Sequence, residues 1–405
     1  MSNTGSSPSS PSLDQPFQSF WMGGYEGADH INKHGEALDM VRSSGHLDGL
    51  DDDYAAAAAL GIRTVRESIG WRLAEPARRR YDLERATRIA RAARRHGIQV
   101  LWSLMHYGTP PDIDLFDDAL IERFAAYAAA VADRLAPLHD VAPVYTPINE
   151  ISFLSWVVSS SADIWPYRPP EDGRGSETSG YAVKCRLVRA ALAAMAAMRR
   201  VDPRCRFLHV EPVVHVVAPR DRPDLAALAA QVCEYQWQAW DLIAGRLEPQ
   251  LGGQPQALDL IGANHYASGQ WEIDTEHRLS WDPRDPRRRP LADLLDAVWQ
   301  RYRRPLILSE TSHAGEARAP WLHEMANEVQ RARWRGVPVH GLCLYPLIDR
   351  VDWNRTDEWH HSGLWDVSDS PRETPPRERR LCVDYAATLA RWQRVLPSPR
   401  AEGHQ

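Results

Sequence analysis

The sequence is poor in cysteine, and the few cysteines show no pairing pattern. Five occur among the 405 residues: Cys185, Cys205, Cys233, Cys343 and Cys382. An odd number without regular spacing argues against a disulfide framework, and neither a zinc-ligand pattern nor a C-x-x-C redox motif is present. We therefore expect reduced thiols, several of them in the core, which is typical of a cytoplasmic protein.

The N-terminus lacks a targeting or anchoring pattern. Residues 1–15 are rich in Ser and Pro, with neither a basic region nor an apolar stretch, which argues against a signal peptide or a membrane anchor. Such a segment has too few apolar side chains to build a core. We expect residues 1–16 to form a disordered arm, residues 17–396 a single domain and residues 397–405 a flexible tail.

Positive charge is not in excess either. The formal net charge is −6, which gives no electrostatic reason to expect nucleic acid or an anionic membrane as a partner. The arginine runs at 78–80 and 287–289 lie among acidic residues, and we interpret them as solvated faces rather than phosphate-binding tracks. The sequence does not indicate an oligomeric state.

The sequence does contain a regular alternation of short apolar runs and helical segments. Such runs between helices are typical of buried parallel strands. The predicted strands are Ser19 to Tyr25, Ile62 to Glu67, Ile98 to Met105, Val144 to Ile148, Arg206 to Val210, Leu258 to Ala263, Leu306 to Ser309 and Val339 to Tyr345. Eight strands alternating with eight helices predict an α/β protein with a single closed (β/α)8 TIM barrel.

Long loops are predicted after strands 4, 6 and 8, the first from Ser155 to Ser179 and the second from Ser268 to Pro290. The segment from Leu225 to Leu247 is predicted to be helical. The alternative fold is an open, doubly wound sheet, which would favour a glycine-rich phosphate loop after the first strand. Residues 23–27, Gly-Gly-Tyr-Glu-Gly, do not match G-x-G-x-x-G, so the barrel is favoured.

Nearly every predicted strand ends in polar or aromatic residues. They are Glu26 and His30, Arg66 and Glu67, His106, Asn149 and Glu150, Glu211, Asn264 and Tyr266, Glu310, and Asp352 with Trp353. Singly, each has a structural explanation, since a glutamate can cap the next helix, Arg66 can pair with a carboxylate and His106 can be a core histidine. A barrel brings all these strand ends to one pocket, which would suit a hydroxylated ligand.

Two of these residues, Glu150 and Glu310, are glutamates at the ends of strands 4 and 7. Two carboxylates that face one pocket are the apparatus of glycoside hydrolysis. The sixteen tryptophans agree with a sugar ligand, because aromatic faces stack on sugar rings, although tryptophan also fills cores. The predicted partner is therefore a small carbohydrate or glycoside.

Six motifs, in chain order over roughly residues 18 to 395, resemble those of glycoside hydrolase family 1, the β-glucosidase family. Residues 146–150, Thr-Pro-Ile-Asn-Glu, resemble T-F-N-E-P, and residues 308–311, Leu-Ser-Glu-Thr, are similar to I-T-E-N-G. Residues 65–71 resemble Y-R-F-S-I-S-W and residues 104–107 resemble L-Y-H-W. Residues 259–266 are similar to D-F-I-G-x-N-Y-Y, and residues 347–353 to L-L-D-N-F-E-W.

The resemblance implies retaining hydrolysis of a β-glycoside, with Glu310 as nucleophile and Glu150 as acid/base. Arg66 and Tyr266 would support Glu310, and Asn149 would hold the sugar 2-hydroxyl. The implied substrate-binding residues are Glu26, His30, Arg66, His106, Asn149, Asn264, Tyr266, Asp352 and Trp353. No cofactor and no metal are implied, and His360-His361 beside Glu358 lacks the spacing of metal ligands.

The chain also departs from the family pattern. No Pro follows Glu150, Thr311-Ser312 replaces N-G, residues 25–28 are shorter than Y-Q-I-E-G-A, and Asp352 replaces a Glu. Members that act on 6-phospho sugars carry Ser at the position of Asp352, so a neutral sugar is expected here. Two other functions stay open: a catalytically silent sugar-binding barrel, and a transglycosidase that uses the same residues.

Overall fold

The computed structural model describes residues 16–168, 179–275, 277–368 and 378–397, which contain a closed barrel of eight parallel strands. The strands are β1 (Trp21–Gly24), β2 (Thr64–Ser68), β3 (Gln99–Met105), β4 (Val144–Ile148), β5 (Arg206–Pro212), β6 (Leu260–Asn264), β7 (Leu306–Thr311) and β8 (Val339–Leu344). Each strand pairs with the next along the chain, and β8 closes on β1. The predicted barrel is confirmed.

The barrel closes because its strands are buried on both faces. Their outer sides pack against the surrounding helices in one large apolar cluster. A second, smaller cluster fills the barrel interior with residues from seven of the strands, including Met22, Leu101, Leu208 and Ile307. Phe17 belongs to this interior cluster and precedes β1, so it packs at the amino-terminal end of the barrel. The opposite end, where the strands finish, is left for polar side chains.

Twelve α-helices occur in the described ranges. They are α1 (Met40–Ser43), α2 (Leu50–Ala59), α3 (Trp71–Ala74), α4 (Glu84–Arg95), α5 (Ala119–Leu135), α6 (Ile151–Ser160), α7 (Gly180–Val201), α8 (Ala226–Glu234), α9 (Gln238–Ile243), α10 (Leu291–Tyr302), α11 (Arg318–Trp334) and α12 (Val383–Val395). The segment predicted to be helical from Leu225 to Leu247 contains α8 and α9, which a 3-10 turn at Tyr235–Trp237 separates, and its helical part ends at Ile243.

The connections after the strands also differ from the sequence expectation. Ser155, the predicted start of the loop after β4, lies inside α6, so the loop begins only after Ser160. Within that loop, Ile164–Trp165 pairs with Ile31–Asn32 as a short antiparallel strand pair. Residues 169–178 of that loop lie outside the described residues. The loop after β6 carries a strand, Gln270–Glu272, that pairs in parallel with His215–Val217. The arm predicted at residues 1–16, apart from Pro16, and the tail beyond residue 397 also lie outside the described residues.

The glutamate at the end of the predicted second strand, Glu67, faces away from the barrel pocket. Its Oε1 lies 2.9 Å from His46 Nε2 and accepts a hydrogen bond from the Tyr54 hydroxyl at 2.5 Å. His46 Nδ1 lies 2.8 Å from Asp53, whose carboxylate also accepts from Arg379 at 3.0 Å. The expectation that Glu67 lines the pocket is wrong, because alternation along β2 points Arg66 inwards and Glu67 outwards.

This buried charge cluster predicts that the protein loses stability at alkaline pH. Burial alone would lower the pKa of His46, but the carboxylates of Glu67 and Asp53 raise it to about 9. Because the pKa of His46 is higher in the folded state than in the unfolded state, its protonation stabilises the fold fully below about pH 6.5. This stabilisation is lost as the pH rises through about 9. The shift corresponds to about 3 kcal/mol.

We therefore expect the free energy of unfolding to fall between pH 7 and pH 10 in the wild type, and to fall much less in His46→Gln. Urea denaturation at a series of pH values measures this difference. Control His323→Gln, at a residue that contacts only Trp392 in the pairs described, should follow the wild-type profile. Equal profiles for wild type and His46→Gln would show that the imidazolium makes no net contribution.

Candidate active site

Glu310 reaches the pocket because β7 is irregular. Ile307 and Ser309 point into the barrel, since Ile307 belongs to the interior cluster and Ser309 Oγ donates to Asn264 Oδ1 at 2.7 Å. Strict alternation would therefore send Glu310 outwards. The register of β7 against β6 shifts between Leu308 and Glu310. Such a bulge re-aims the side chain that follows it, so consecutive residues both face the interior.

Two donors hold the Glu310 carboxylate. Arg66 Nη1 lies 2.5 Å from Oε1, and the Tyr266 hydroxyl donates to Oε2 at 2.9 Å. Arg66 also donates to the Ser309 carbonyl at 3.1 Å and to Asn149 Oδ1 at 2.7 Å. This guanidinium is 1% exposed and links β2, β4 and β7. The structure thus brings together the predicted Arg66, Tyr266 and Asn149 around Glu310.

Glu150 lies two residues after the end of β4 and has a left-handed backbone, with φ 46° and ψ 64°. This conformation is unfavourable for a residue with a Cβ, by about 1 kcal/mol. The Glu150 amide donates to the Val210 carbonyl on β5 at 3.0 Å, which secures the turn. The carboxylate accepts from the Tyr107 hydroxyl at 2.8 Å and from Asn264 Nδ2 at 2.8 Å.

Two asparagines connect the glutamates into one hydrogen-bond network. Asn264 donates to Glu150 and accepts from Ser309, the neighbour of Glu310. Asn149 accepts from Arg66 and donates to the Tyr107 hydroxyl at 3.1 Å. Arg66, which orients Glu310, thus also contacts the neighbour of Glu150. Asn264, which orients Glu150, also contacts the neighbour of Glu310.

The Glu150 and Glu310 carboxylates lie in different electrostatic environments. Burial, with the nearby Glu310 carboxylate as the next cause, raises the pKa of Glu150 well above its usual range. A buried glutamic acid near a second carboxylate can remain protonated at neutral pH and serve as a proton donor. Glu310, by contrast, forms an ion pair with Arg66. Burial also raises the pKa of the Tyr107 and Tyr266 hydroxyls, which therefore act as donors.

Beside this network, Glu26 and His106 form a second polar group. Glu26 is 6% exposed and its Oε1 accepts from the Ala28 amide at 3.1 Å. Its other oxygen lies 3.4 Å from Arg350 Nε, and His106 Nε2 lies 4.0 Å from Oε1. Burial raises the pKa of Glu26 and lowers the pKa of His106. A neutral imidazole and a partly compensated carboxylate suit the recognition of sugar hydroxyls.

His30 and Trp353 pack edge-to-face, with ring centroids 4.9 Å apart. Both ring nitrogens of His30 and the indole nitrogen of Trp353 are buried, and they have no hydrogen-bond partner among the described residues. Burial lowers the pKa of His30 to about 3, so the ring is neutral. Trp353 also contacts Tyr107 at 5.8 Å, which places this pair next to Glu150.

The Asp352 carboxylate is less available to contact a substrate than the side chain of its neighbour Trp353. One carboxylate oxygen accepts from the backbone amides of Asn354 and Arg355, at 2.8 and 3.0 Å. The other lies 2.8 Å from His360 Nε2. Both oxygens thus stabilise their own loop, and a substrate contact by Asp352 stays a prediction that would require one of these bonds to exchange.

Comparison with known proteins agrees with this geometry at the level of the fold. No protein-family model and no curated protein matches the sequence. A family 1 β-glucosidase from Thermotoga maritima matches with a TM-score of 0.69 at 16% identity, covering 93% of this chain and 98% of that one. A β-glycosidase designated BGL167 matches at 0.69 and 18% identity, covering 96% and 99%. The AHE enzyme from Alicyclobacillus herbarius matches at 0.69 and 16% identity, covering 95% and 99%.

The chain has the fold of these β-glycosidases. The resemblance that the motifs predict is confirmed for the fold, and the low identity fits a divergent sequence. Among the described residues, no helix combines the length and the apolar character needed to span a bilayer.

Two residues around Glu150 were not assigned a role from the sequence. Tyr107, within the motif at 104–107, bonds to both Glu150 and Asn149. Glu211, at the end of β5, accepts from the Ser152 amide at 3.0 and 3.3 Å, so it caps the start of α6 directly after Glu150. The strand-end position of Glu211 was visible in the sequence, but its target is a backbone amide and only the fold shows it.

Glu211 should influence the pKa of Glu150, the candidate proton donor. It is 2% exposed, burial raises its pKa to about 7, and its charge contributes to the raised pKa of Glu150. We expect Glu211→Gln to move the alkaline limb of the kcat/KM profile on an aryl glycoside to lower pH, because one like charge is removed. Glu328→Gln is the matched control, since Glu328 is also buried and bonds to the first turn of a helix, at the Ala292 amide. An unchanged limb in Glu211→Gln would contradict this role.

One group of residues in the described ranges is close enough to hold a metal ion. Ligand atoms of Asp349, His361 and Asp366 lie within 4.8 Å of one another. The Asp349 carboxylate already accepts from three backbone amides, and Asp366 pairs with Arg318 at 2.7 Å. The negative charge is therefore already balanced by donors of the chain itself.

Proposed function

We propose that the protein is a retaining β-glycosidase that hydrolyses a neutral β-glycoside with Glu310 as nucleophile and Glu150 as acid/base. The observation that carries the proposal is the pair of glutamates at the ends of β4 and β7, joined through Asn264 and Ser309. Their environments differ as the two roles require, one paired with Arg66 and the other with a raised pKa.

In the first step, the Glu310 carboxylate attacks the anomeric carbon and Glu150 protonates the leaving oxygen. A glycosyl-enzyme intermediate forms, and Glu150 then removes a proton from the water that hydrolyses it. Tyr266 and Arg66 position Glu310, while Tyr107 and Asn264 position Glu150. The substrate-binding residues proposed are Glu26, His30, Arg66, His106, Asn149, Asn264, Tyr266, Asp352 and Trp353.

A neutral sugar is supported by the pairing of the arginines nearest the Asp352–Trp353 segment. Arg350 lies 3.4 Å from the Glu26 carboxylate, and Arg355 lies 2.7 Å from Glu358. Carboxylates of the chain thus compensate both arginines. The Asp352 carboxylate adds a further negative charge, which would repel a phosphate group on the substrate. The five unpaired cysteines fit a reducing compartment, so we propose that the enzyme acts in the cytoplasm on a small glycoside, without a nucleic-acid or membrane partner.

The test is hydrolysis of a panel of aryl β-glycosides by purified protein, with proton NMR of the first sugar anomer released. We expect turnover and initial release of the β-anomer. Release of the α-anomer would exclude retention, and binding without turnover across the panel would favour the silent sugar-binding barrel. A preference for a 6-phospho-glucoside over the matched glucoside would contradict the neutral substrate. Transfer to added alcohol exceeding hydrolysis would favour the transglycosidase.

A further inference from the structure

The arginine run at 287–289 is not the solvated face that its sequence suggests. Arg287 pairs with Asp285 and Glu272, at 2.8 and 2.7 Å. The middle residue, Arg288, is only 8% exposed. The sequence expectation is therefore wrong for Arg288, because the loop after β6 folds back over this side chain.

The buried guanidinium of Arg288 lacks a carboxylate partner within 4.0 Å among the residues described. Its Nη1 donates to the carbonyls of Ala267 and Leu279 at 2.9 and 2.7 Å, and both acceptors are neutral. Burial and the neighbouring Arg284 lower its pKa to about 10. A buried charge is ordinarily paired, because an isolated one is costly to remove from water. Glu324 and Asp285 also act on this charge, but only from beyond 4.0 Å.

A small cavity lies against this guanidinium. Its volume is about 20 Å³, and its lining includes Arg284, Arg288, Arg289, His265, Gln270 and Trp281. Glu324 also lines the cavity, but its carboxylate forms an ion pair with Arg284 at 3.5 Å. Three arginines against one glutamate give the cavity an excess of positive charge.

We propose that this cavity binds a single-atom inorganic anion of the halide class, with chloride as the physiological example. The volume admits about one water-sized particle, so a single-atom anion fits it. The anion would supply the close counter-charge that Arg288 lacks among the described residues. This site goes beyond the proposed glycosidase function and does not depend on it.

The cavity is separate from the catalytic pocket but adjoins its wall. His265 lies between Asn264 and Tyr266, and its ring stacks on Trp321 with centroids 6.1 Å apart. Trp321 in turn donates to Thr311 Oγ1 at 2.8 Å, next to Glu310. An occupied cavity would therefore stabilise the outer side of the segments that carry Tyr266 and Glu310.

The experiment measures the melting temperature of the full chain in sodium chloride and in sodium gluconate at equal ionic strength. An anion that binds only the folded state raises the melting temperature saturably, by about 1–3 °C well above its Kd. We expect this increment in the wild type and its loss in Arg288→Gln. Arg318→Gln is the matched control, since Arg318 is equally buried but pairs with Asp366, and it should keep the chloride increment.

Crystals of the wild-type protein soaked in sodium bromide provide a test that does not depend on a variant that folds. An anomalous peak at hydrogen-bond distance from Arg288 supports the site. A cavity without a peak, equal melting temperatures in the two salts, or a chloride increment that persists in Arg288→Gln would overturn it. If Arg288→Gln does not fold, Arg284→Gln replaces it, and a reduced increment is then the expected result.

Discussion

Glu310→Ala should reduce turnover of any substrate by roughly 10⁴-fold or more, because it removes the proposed nucleophile. The loss should appear in kcat with activated aryl glycosides as well, since a good leaving group does not replace the attacking carboxylate. Steady-state kinetics on an aryl β-glycoside measures the effect.

The control for this variant is Glu316→Ala, the same substitution at an exposed glutamate shortly after β7. It should leave kcat and KM unchanged. Circular dichroism must show that Glu310→Ala is folded, because the substitution removes the carboxylate that pairs with the buried Arg66 guanidinium. A folded Glu310→Ala protein with most of its activity would exclude Glu310 as the nucleophile.

Glu150→Ala should have an effect that depends on the leaving group. Acid assistance contributes roughly 10²–10⁴-fold for poor leaving groups and little for activated ones. With an activated aryl glycoside, the intermediate should still form and should accumulate, because its hydrolysis lacks the general base. A burst of phenol followed by a slow steady state is the expected time course.

Added azide distinguishes this role from a structural one. The small anion can enter the space left by Glu150 and attack the intermediate without base assistance, so turnover should recover and yield a β-glycosyl azide. Tyr107→Phe is a useful comparison, since it removes one donor to Glu150 but leaves no space for azide. Formation of the α-azide, or failure of azide to restore turnover, would contradict the acid/base assignment.

The sequence could predict the barrel because the signal is repeated. Each strand is a short apolar run between amphipathic helices, and β4 falls at the predicted bounds, Val144–Ile148. The helical segment predicted from Leu225 to Leu247 gave no sign of the 3-10 turn at Tyr235–Trp237, because apolar spacing continues through that turn and only the hydrogen-bond pattern changes. Periodicity reports which face is buried, and that face is shared across the break.

The candidate site shows a similar division. Polar residues at strand ends could be located in the sequence, and most of them do meet around Glu150 and Glu310. Glu67 was misplaced because adjacent residues on β2 face opposite sides, and the sequence does not show which of Arg66 and Glu67 faces inwards. The bulge in β7 and the environment of Arg288 depend on contacts between distant segments, which local patterns do not encode.

The left-handed backbone of Glu150 has a consequence for protein engineering. Glycine adopts this conformation without steric cost, so a screen for heat resistance alone should enrich glycine at position 150 and discard the proposed acid. A library built to stabilise this enzyme therefore needs an activity filter at every round, or must hold position 150 fixed.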